Sequence, residues 1–167
     1  MSIREKLIVW SKGDSLRLYW RLFRWREQCR SKAIRDVLTF FLNRLAHRHG
    51  GYIGNGARFD GIPILPHGLH GIYISRYAHV GKDCWIYQNV TIGEVDRIAP
   101  KIGSHCLIGA GAVIIGNISI GDHVRIGAGA VVCCDIPDHA TVIAQPPRIK
   151  IRRDEHDLEQ QAGVDRN

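Results

Sequence analysis

IGSHCLIGAGAVIIGNISIGDHVRIGAGAVV (Ile102–Val132) sets β-branched residues at Ile102, Ile108, Ile114, Ile120, Ile126 and Val132, a strict step of six. Glycine follows four of them, at Gly103, Gly109, Gly121 and Gly127, and a small or apolar residue comes four places after each: Cys106, Ala112, Ile118, Val124, Ala130 and Ile136. Neither the 3.6-residue period of an α-helix nor the two-residue period of a strand generates this spacing. A short strand and a tight turn, repeated, do. Such a chain is a β-helical solenoid, in which each turn buries its apolar row only by stacking on the next.

The same step runs backwards through Ile92, Ile86, Val80 and Ile74, and again through Leu65, Phe59 and Ile53. It breaks twice. Leu65 to Ile74 is nine residues, so three are inserted; Ile92 to Ile102 is ten, so four are inserted. Insertions in a solenoid loop out of the coil and commonly line its binding surface. The first carries or adjoins His67, and the second holds Glu94–Pro100.

Charge divides the chain. Of the net +7, residues 1–49 carry +8 (twelve Lys/Arg, four Asp/Glu) and residues 50–167 carry −1 (eleven against twelve). The N-terminal part reads as helical. Ile3, Leu7 and Trp10 share a face, and Ser11–Asp14 is a break with Asp14 or Ser15 as helix cap. Leu16–Arg30 interleaves Leu, Trp and Phe with Arg. Ala33–His47 repeats apolar residues at helical spacing, and Gly50-Gly51 ends the region. A helical cap on the solenoid or on partner subunits is the first reading. A helix lying on a membrane surface is the second, because aromatic residues and arginines alternate on a basic helix. Nucleic acid is excluded as a partner: the body has no basic groove or stacking motif. No apolar run approaches the ~20 residues that span a bilayer, and no signal peptide is visible. The five cysteines contain no CxxC pair, and Cys84 and Cys106 fall on the small inward position, as buried hydrophobes. The expectation is a cytoplasmic protein, with a basic amphipathic helical segment over 1–50, a repeat domain over 51–148 and a charged tail over 149–167.

Several strings are more specific than the repeat: LPHGLHGI (Leu65–Ile72), QNVTIG (Gln88–Gly93), APKIG (Ala99–Gly103), IGAGAVIIGNISIG (Ile108–Gly121), IGAGAVV (Ile126–Val132) and DIP (Asp135–Pro137). Together they resemble the hexapeptide-repeat acyltransferases, on the branch of serine O-acetyltransferases and capsular or exopolysaccharide O-acetyltransferases. The resemblance implies a mainly β fold, a left-handed parallel β-helix with three hexapeptides per coil, assembled as a homotrimer. It implies acetyl-CoA as donor, lying between neighbouring subunits, and a histidine on an inserted loop as general base.

An alcohol is a weak nucleophile at neutral pH, so O-acylation calls for a base such as imidazole within reach of the hydroxyl. His67 matches the family's catalytic position. Three departures stand beside it. The resemblance implies an Asp immediately before that histidine, where this chain has Pro66. It implies a second histidine preceded by Arg before the PKI string, where this chain has Ala99 preceded by Ile98. The Asp that orients the imidazole aligns with Tyr52. Groups that would grip an amino acid's charges are therefore missing, which points to a saccharide hydroxyl, free or on a lipid-linked glycan. The orienting or acceptor-binding candidates are Tyr52, His70, Asp60, Glu94 and Asp96. For the donor, Gly109, Ala110, Gly127 and Ala128 match positions that contact coenzyme A. Arg148 and Lys150 are candidates for its phosphates, with Arg152 and Arg153 behind them.

Competing readings remain open. Serine is the alternative acceptor. A zinc carbonic anhydrase-like repeat protein would draw its ligands from His67, His70 and His105, although no metal is expected. His105 and His123, eighteen residues apart, stack at one strand spacing (~4.8 Å) if a coil is three hexapeptides. The last alternative is a scaffold without chemistry.

Overall fold

The computed structural model describes residues 16–149; the first helical face, the Asp14/Ser15 cap, Lys150 and the tail lie outside the described residues. Two helices come first, α1 (Arg17–Gln28) and α2 (Lys32–Arg48), followed by thirteen strands of two or three residues each. The strands form three parallel sheets, the faces of a prism. Face one is β1 (Tyr52–Ile53), β3 (Tyr73–Ile74), β6 (Thr91–Gly93), β9 (Val113–Ile115) and β12 (Val131–Val132). Face two is β2 (Arg58–Phe59), β4 (His79–Val80), β7 (Lys101–Ile102) and β10 (Ser119–Ile120). Face three is β5 (Trp85–Ile86), β8 (Leu107–Ile108), β11 (Arg125–Ile126) and β13 (Thr141–Val142).

Register carries the hexapeptide rule into three dimensions. Ile53 pairs with Ile74, Ile74 with Ile92, Ile92 with Ile114, and Ile114 lies beside Val132. The inward residue of each strand thus stacks on its counterpart a coil away. Ile74, Val80, Ile86, Ile92, Ile108, Ile114 and Ile126 are all fully buried. The small row is buried with them: Ala78, Cys84, Val90, Cys106, Ala112, Val124 and Ala130. Cys84 and Cys106 donate their thiols to Gly103 O and Gly121 O, each at 3.1 Å. The Cys106 contact and burial push the Cys84 thiol well above its ordinary range.

A solenoid's first coil exposes its apolar row unless something covers it. Here the cover is aromatic. Trp20 and Phe23 of α1 meet Phe59 edge-on, at ring-centroid distances of 5.4 and 5.7 Å. Tyr19 packs beside them, edge-on to Trp20 at 5.4 Å. Arg26 staples the cap: its Nε donates to Thr39 Oγ1 on α2 and its Nη2 to Asn55 O in the first coil, both at 2.8 Å. Leu16 occupies the N-cap of α1 and makes no side-chain capping bond. The helix is held by its packing and not by its ends.

The outer surfaces of the faces differ. Face two is polar, with Arg58, His79, Lys101 and Ser119 outward and His79 Nε2 2.9 Å from Asp60 Oδ1. Face one presents Tyr52, Tyr73, Thr91, Val113 and Val131 in one outward column, and Val131 is 68% exposed.

Burial, with Tyr52 adding to it, pushes the Tyr19 phenol above its ordinary 10.0. A phenol that ionises less readily when folded contributes stability that is complete below its unfolded value and lost as pH rises through the folded one. Denaturant midpoints should therefore fall steeply above pH 10.0, and Tyr19→Phe should flatten that decline. An unchanged slope in the variant would refute the assignment.

Candidate active site

The first insertion, Pro66–Gly71, leaves the coil between face three and face one. It is anchored beneath the helices: Gly71 N–H donates to Gly50 O at 2.8 Å, and Asn89 N–H to His70 O at 2.9 Å. Gly71 has φ +67°, and an added Cβ would fall 2.0 Å from Asn89 Oδ1. A side chain there would displace the loop that carries His67.

His67 is exposed at the outer end of this loop, its ring centroid 6.1 Å from that of Tyr87. Among the described residues it makes no hydrogen bond, so none of the orienting candidates grips it within one chain. Asp60 is engaged on face two by His79. Glu94 accepts a hydrogen bond from Ser75 Oγ. Tyr52 lies on face one, against Tyr73 one coil below and close enough to Tyr19 to influence its ionisation. His70 shares the His67 loop, its Nδ1 3.9 Å from where a Cβ on Gly50 would be.

The second insertion is on a different edge, between faces one and two. Val95 and Ile98 exchange both backbone hydrogen bonds at 2.9 Å, and Asp96 and Arg97 have φ of 52° and 64°. This is a two-residue hairpin of the type whose twist suits antiparallel strands. Asp96 is at its tip, and Val95 and Ile98 are exposed on its sides. Within one chain the structure separates Glu94 and Asp96 from His67.

The donor candidates do share the His67 edge. Below the insertion, the turn after β5 holds Tyr87, Gln88 and Asn89, the turn after β8 holds Gly109 and Ala110, and the turn after β11 holds Gly127 and Ala128. Backbone bonds tie them into a ladder: Gly111 N–H donates to Gln88 O at 3.0 Å and Gly129 N–H to Ala110 O at 2.9 Å. At ~4.8 Å per coil, the edge from the His67 loop to Ala128 is roughly 15 Å long. Ala144 packs near Gly127 at its foot, so exposed Arg148 follows four residues beyond that edge.

The glycines on this edge have two different causes. A Cβ on Gly109 would lie 2.6 Å from Ala128 N, so its smallness is required by the coil below and not by a ligand. Gly111 (φ +69°) and Gly129 (φ +68°) face open space, and what they supply is the left-handed turn. Asn89 holds the equivalent turn one coil up, at φ 60°. Gln88 has a buried amide oxygen with no hydrogen-bond partner among the described residues, next to Tyr87 on the edge shared with the His67 loop. Neither Tyr87 nor Gln88 was singled out by sequence reasoning, though QNVTIG contains the latter.

His105 lies on the remaining edge, between faces two and three, away from His67 and His70. It stacks on His123 at 4.8 Å and 10°, and His123 stacks on His139 at 4.9 Å and 3°. Parallel imidazoles point their in-plane lone pairs side by side, so they do not converge on one ion. No group of three potential ligands gathers for a metal among the described residues.

Residues 99–134 match the family model described as bacterial transferase hexapeptide (six repeats). The serine acetyltransferase of Synechococcus elongatus is 39% identical over 136 residues, 79% of this chain and 54% of that protein. That of Staphylococcus aureus is 33% identical over 133 residues, 77% of this chain and 59% of that one. The chain belongs to the hexapeptide-repeat acyltransferase family. Its fold is the family's mainly β, left-handed parallel β-helix, with helices at the N-terminal end. Among solved structures, Neisseria gonorrhoeae serine acetyltransferase in complex with serine aligns with a TM-score of 0.68 at 32% identity, over 78% of this chain and 55% of that one. The soybean apoenzyme aligns at 0.66 and 31%, with the same coverages. The chain spans about half the length of these relatives.

Gly109→Ala should destabilise this member of the family by roughly 1–3 kcal/mol through overpacking. Gly111→Asn should stay within about 1 kcal/mol of wild type, because Asn tolerates the left-handed turn. Paired thermal melts check both, and equal losses would contradict the two-cause account.

Proposed function

We propose that this chain transfers an acetyl group from acetyl-CoA to a hydroxyl, with His67 as general base. The observation that carries the reading is that His67 and the Ala110–Ala128 ladder lie on one edge. A thioester extended along that ladder brings its carbonyl towards the His67 loop. The imidazole takes the hydroxyl proton as the oxygen attacks the thioester carbon. The tetrahedral intermediate collapses with loss of the thiolate, which recovers that proton from the imidazolium. The products are an O-acetyl ester and free coenzyme A. Arg148, exposed and a few residues beyond that edge in the chain, is the proposed partner for a donor phosphate.

The relatives make L-serine the favoured acceptor, ahead of the saccharide that the sequence departures suggested. A second reading, a sugar hydroxyl, keeps one structural argument. Within one chain the side chains beside His67 are neutral: Pro66 precedes it and Tyr87 flanks it. On its own, one chain thus supplies none of the fixed charges beside His67 that favour an amino acid.

The working unit of this proposal is a homotrimer. The two insertions are on different edges of one prism, so a second copy is needed to bring Val95–Ile98 to the His67 edge. The apolar column on face one would be covered in that assembly.

His67→Ala should retain the oligomer and lower turnover at least about a hundredfold. Release of coenzyme A thiol from acetyl-CoA is the readout, with serine and a panel of neutral sugars as acceptors. Normal turnover in the variant would dismiss His67 as the base. Activity with sugars and none with serine would establish the second reading.

A further inference from the structure

The helices have more apolar surface than capping uses. On α1, Tyr19, Trp20 and Phe23 are buried, but Leu18 and Trp25 are 56% and 55% exposed. With Leu22 they follow helical spacing, at i, i+4 and i+7, and line an open groove of about 560 Å³ edged by Arg21 and Arg24. On α2, Leu38, Leu42 and Ala46 face inward. Ile34, Val37 and Phe41, at i, i+3 and i+7, form a second stripe, with Phe40 on its far side, and all four are exposed. Successive residues turn by 100°, so this stripe occupies the flank beside the buried one, and Arg44 and Arg48 fall within it. Among the described residues each helix thus has one apolar stripe packed and a second one largely bare, with Leu22 of that second stripe resting partly on the core.

Charge identifies what covers the bare stripes. Residues 17–48 carry nine Arg/Lys against two acidic residues, Glu27 and Asp36. A second copy docking through the same face would bring these cations against their own kind. Nucleic acid would satisfy the arginines and leave Trp25, Val37, Phe40 and Phe41 in water. An anionic bilayer satisfies both: headgroups meet the arginines while the aromatic and aliphatic side chains enter the acyl boundary.

We propose that the outer face of α1 and α2 is a docking surface for an anionic lipid bilayer, on which the helices lie without crossing. Neither is long and apolar enough to span one. The His67 loop is bonded directly beneath them through Gly50 and Gly71, so the bound protein holds that loop on its membrane side. The surface is independent of the acyl transfer proposed above.

The test is co-sedimentation of the full chain with vesicles of phosphatidylcholine alone, or with about a third phosphatidylglycerol, without acetyl-CoA. Partitioning should be about tenfold or more stronger on the anionic vesicles and should weaken with salt. Val37→Ser/Phe41→Ser and, separately, Arg44→Glu/Arg48→Glu should each lower it several-fold, with circular dichroism and the melting midpoint as fold controls. Should the serine variant misfold, the charge variant alone decides. Equal sedimentation with both lipids, or undiminished binding in the correctly folded variants, overturns the proposal. So does an absence of vesicle binding accompanied by self-association that the variants abolish, which would make the face a contact between copies. Because binding is read without acetyl-CoA, failure of acetyl transfer leaves this result intact.

Discussion

One constraint governs the molecule: a two-residue strand cannot bury its own inward side chain. Ile114 is buried because Ile92 lies above it and Val132 below, and each of those depends on its own neighbour. The coil is therefore stable only as a stack, and its two ends are its weak points. At the first end the solution is α1, whose Trp20 and Phe23 replace the missing coil over Phe59. A stack held by side chains every 4.8 Å tolerates additions only where the chain turns. Insertions therefore occur at edges, and candidate chemistry follows them.

The same constraint determines which glycines are free to serve a ligand. Gly109 lets one coil approach the next, and a Cβ there would meet the Ala128 backbone. Its presence on a proposed donor edge is a consequence of stacking. The side chains of Ala110 and Ala128, in contrast, are outside that contact, the first half-buried and the second exposed. Small size at those positions is not demanded by the coil, which makes them the more informative residues of the four.

The repeat itself was legible in the sequence because the step of six is a direct record of stacking. The 4.8 Å pairing of His105 with His123 followed from eighteen residues per coil. His139 escaped the same arithmetic. Ile120 pairs with Ile136 and Ile126 with Val142, sixteen residues on, so the last coil is shorter and His139 arrives in the column two residues early. The partners of Asp60 and Glu94 were also hidden. Each is nineteen residues from its partner, His79 and Ser75 respectively: Asp60 reaches its partner across the first insertion, and Glu94 lies one residue past the eighteen-residue coil from Ser75. The helical segment was read as apolar and basic. That each helix carries two apolar stripes, one packed and one largely bare, emerges only when the solenoid shows which stripe it uses.

The placement of the insertions also bears on assembly. His67 projects from the edge joining faces three and one, and the Val95–Ile98 hairpin from the edge joining faces one and two. Both edges border face one, the face whose outward column is Tyr52, Tyr73, Thr91, Val113 and Val131, whereas face two carries Arg58, His79 and Lys101. A rigid prism cannot fold one edge onto another. A copy rotated about an axis parallel to the coil can bring its hairpin to its neighbour's His67 while covering face one. Such a contact joins unlike surfaces, and three prisms related by equal rotation close the ring. The hairpin's tight turn suits this role, since Asp96 and Arg97 hold Val95 and Ile98 outward without support from the coil behind them.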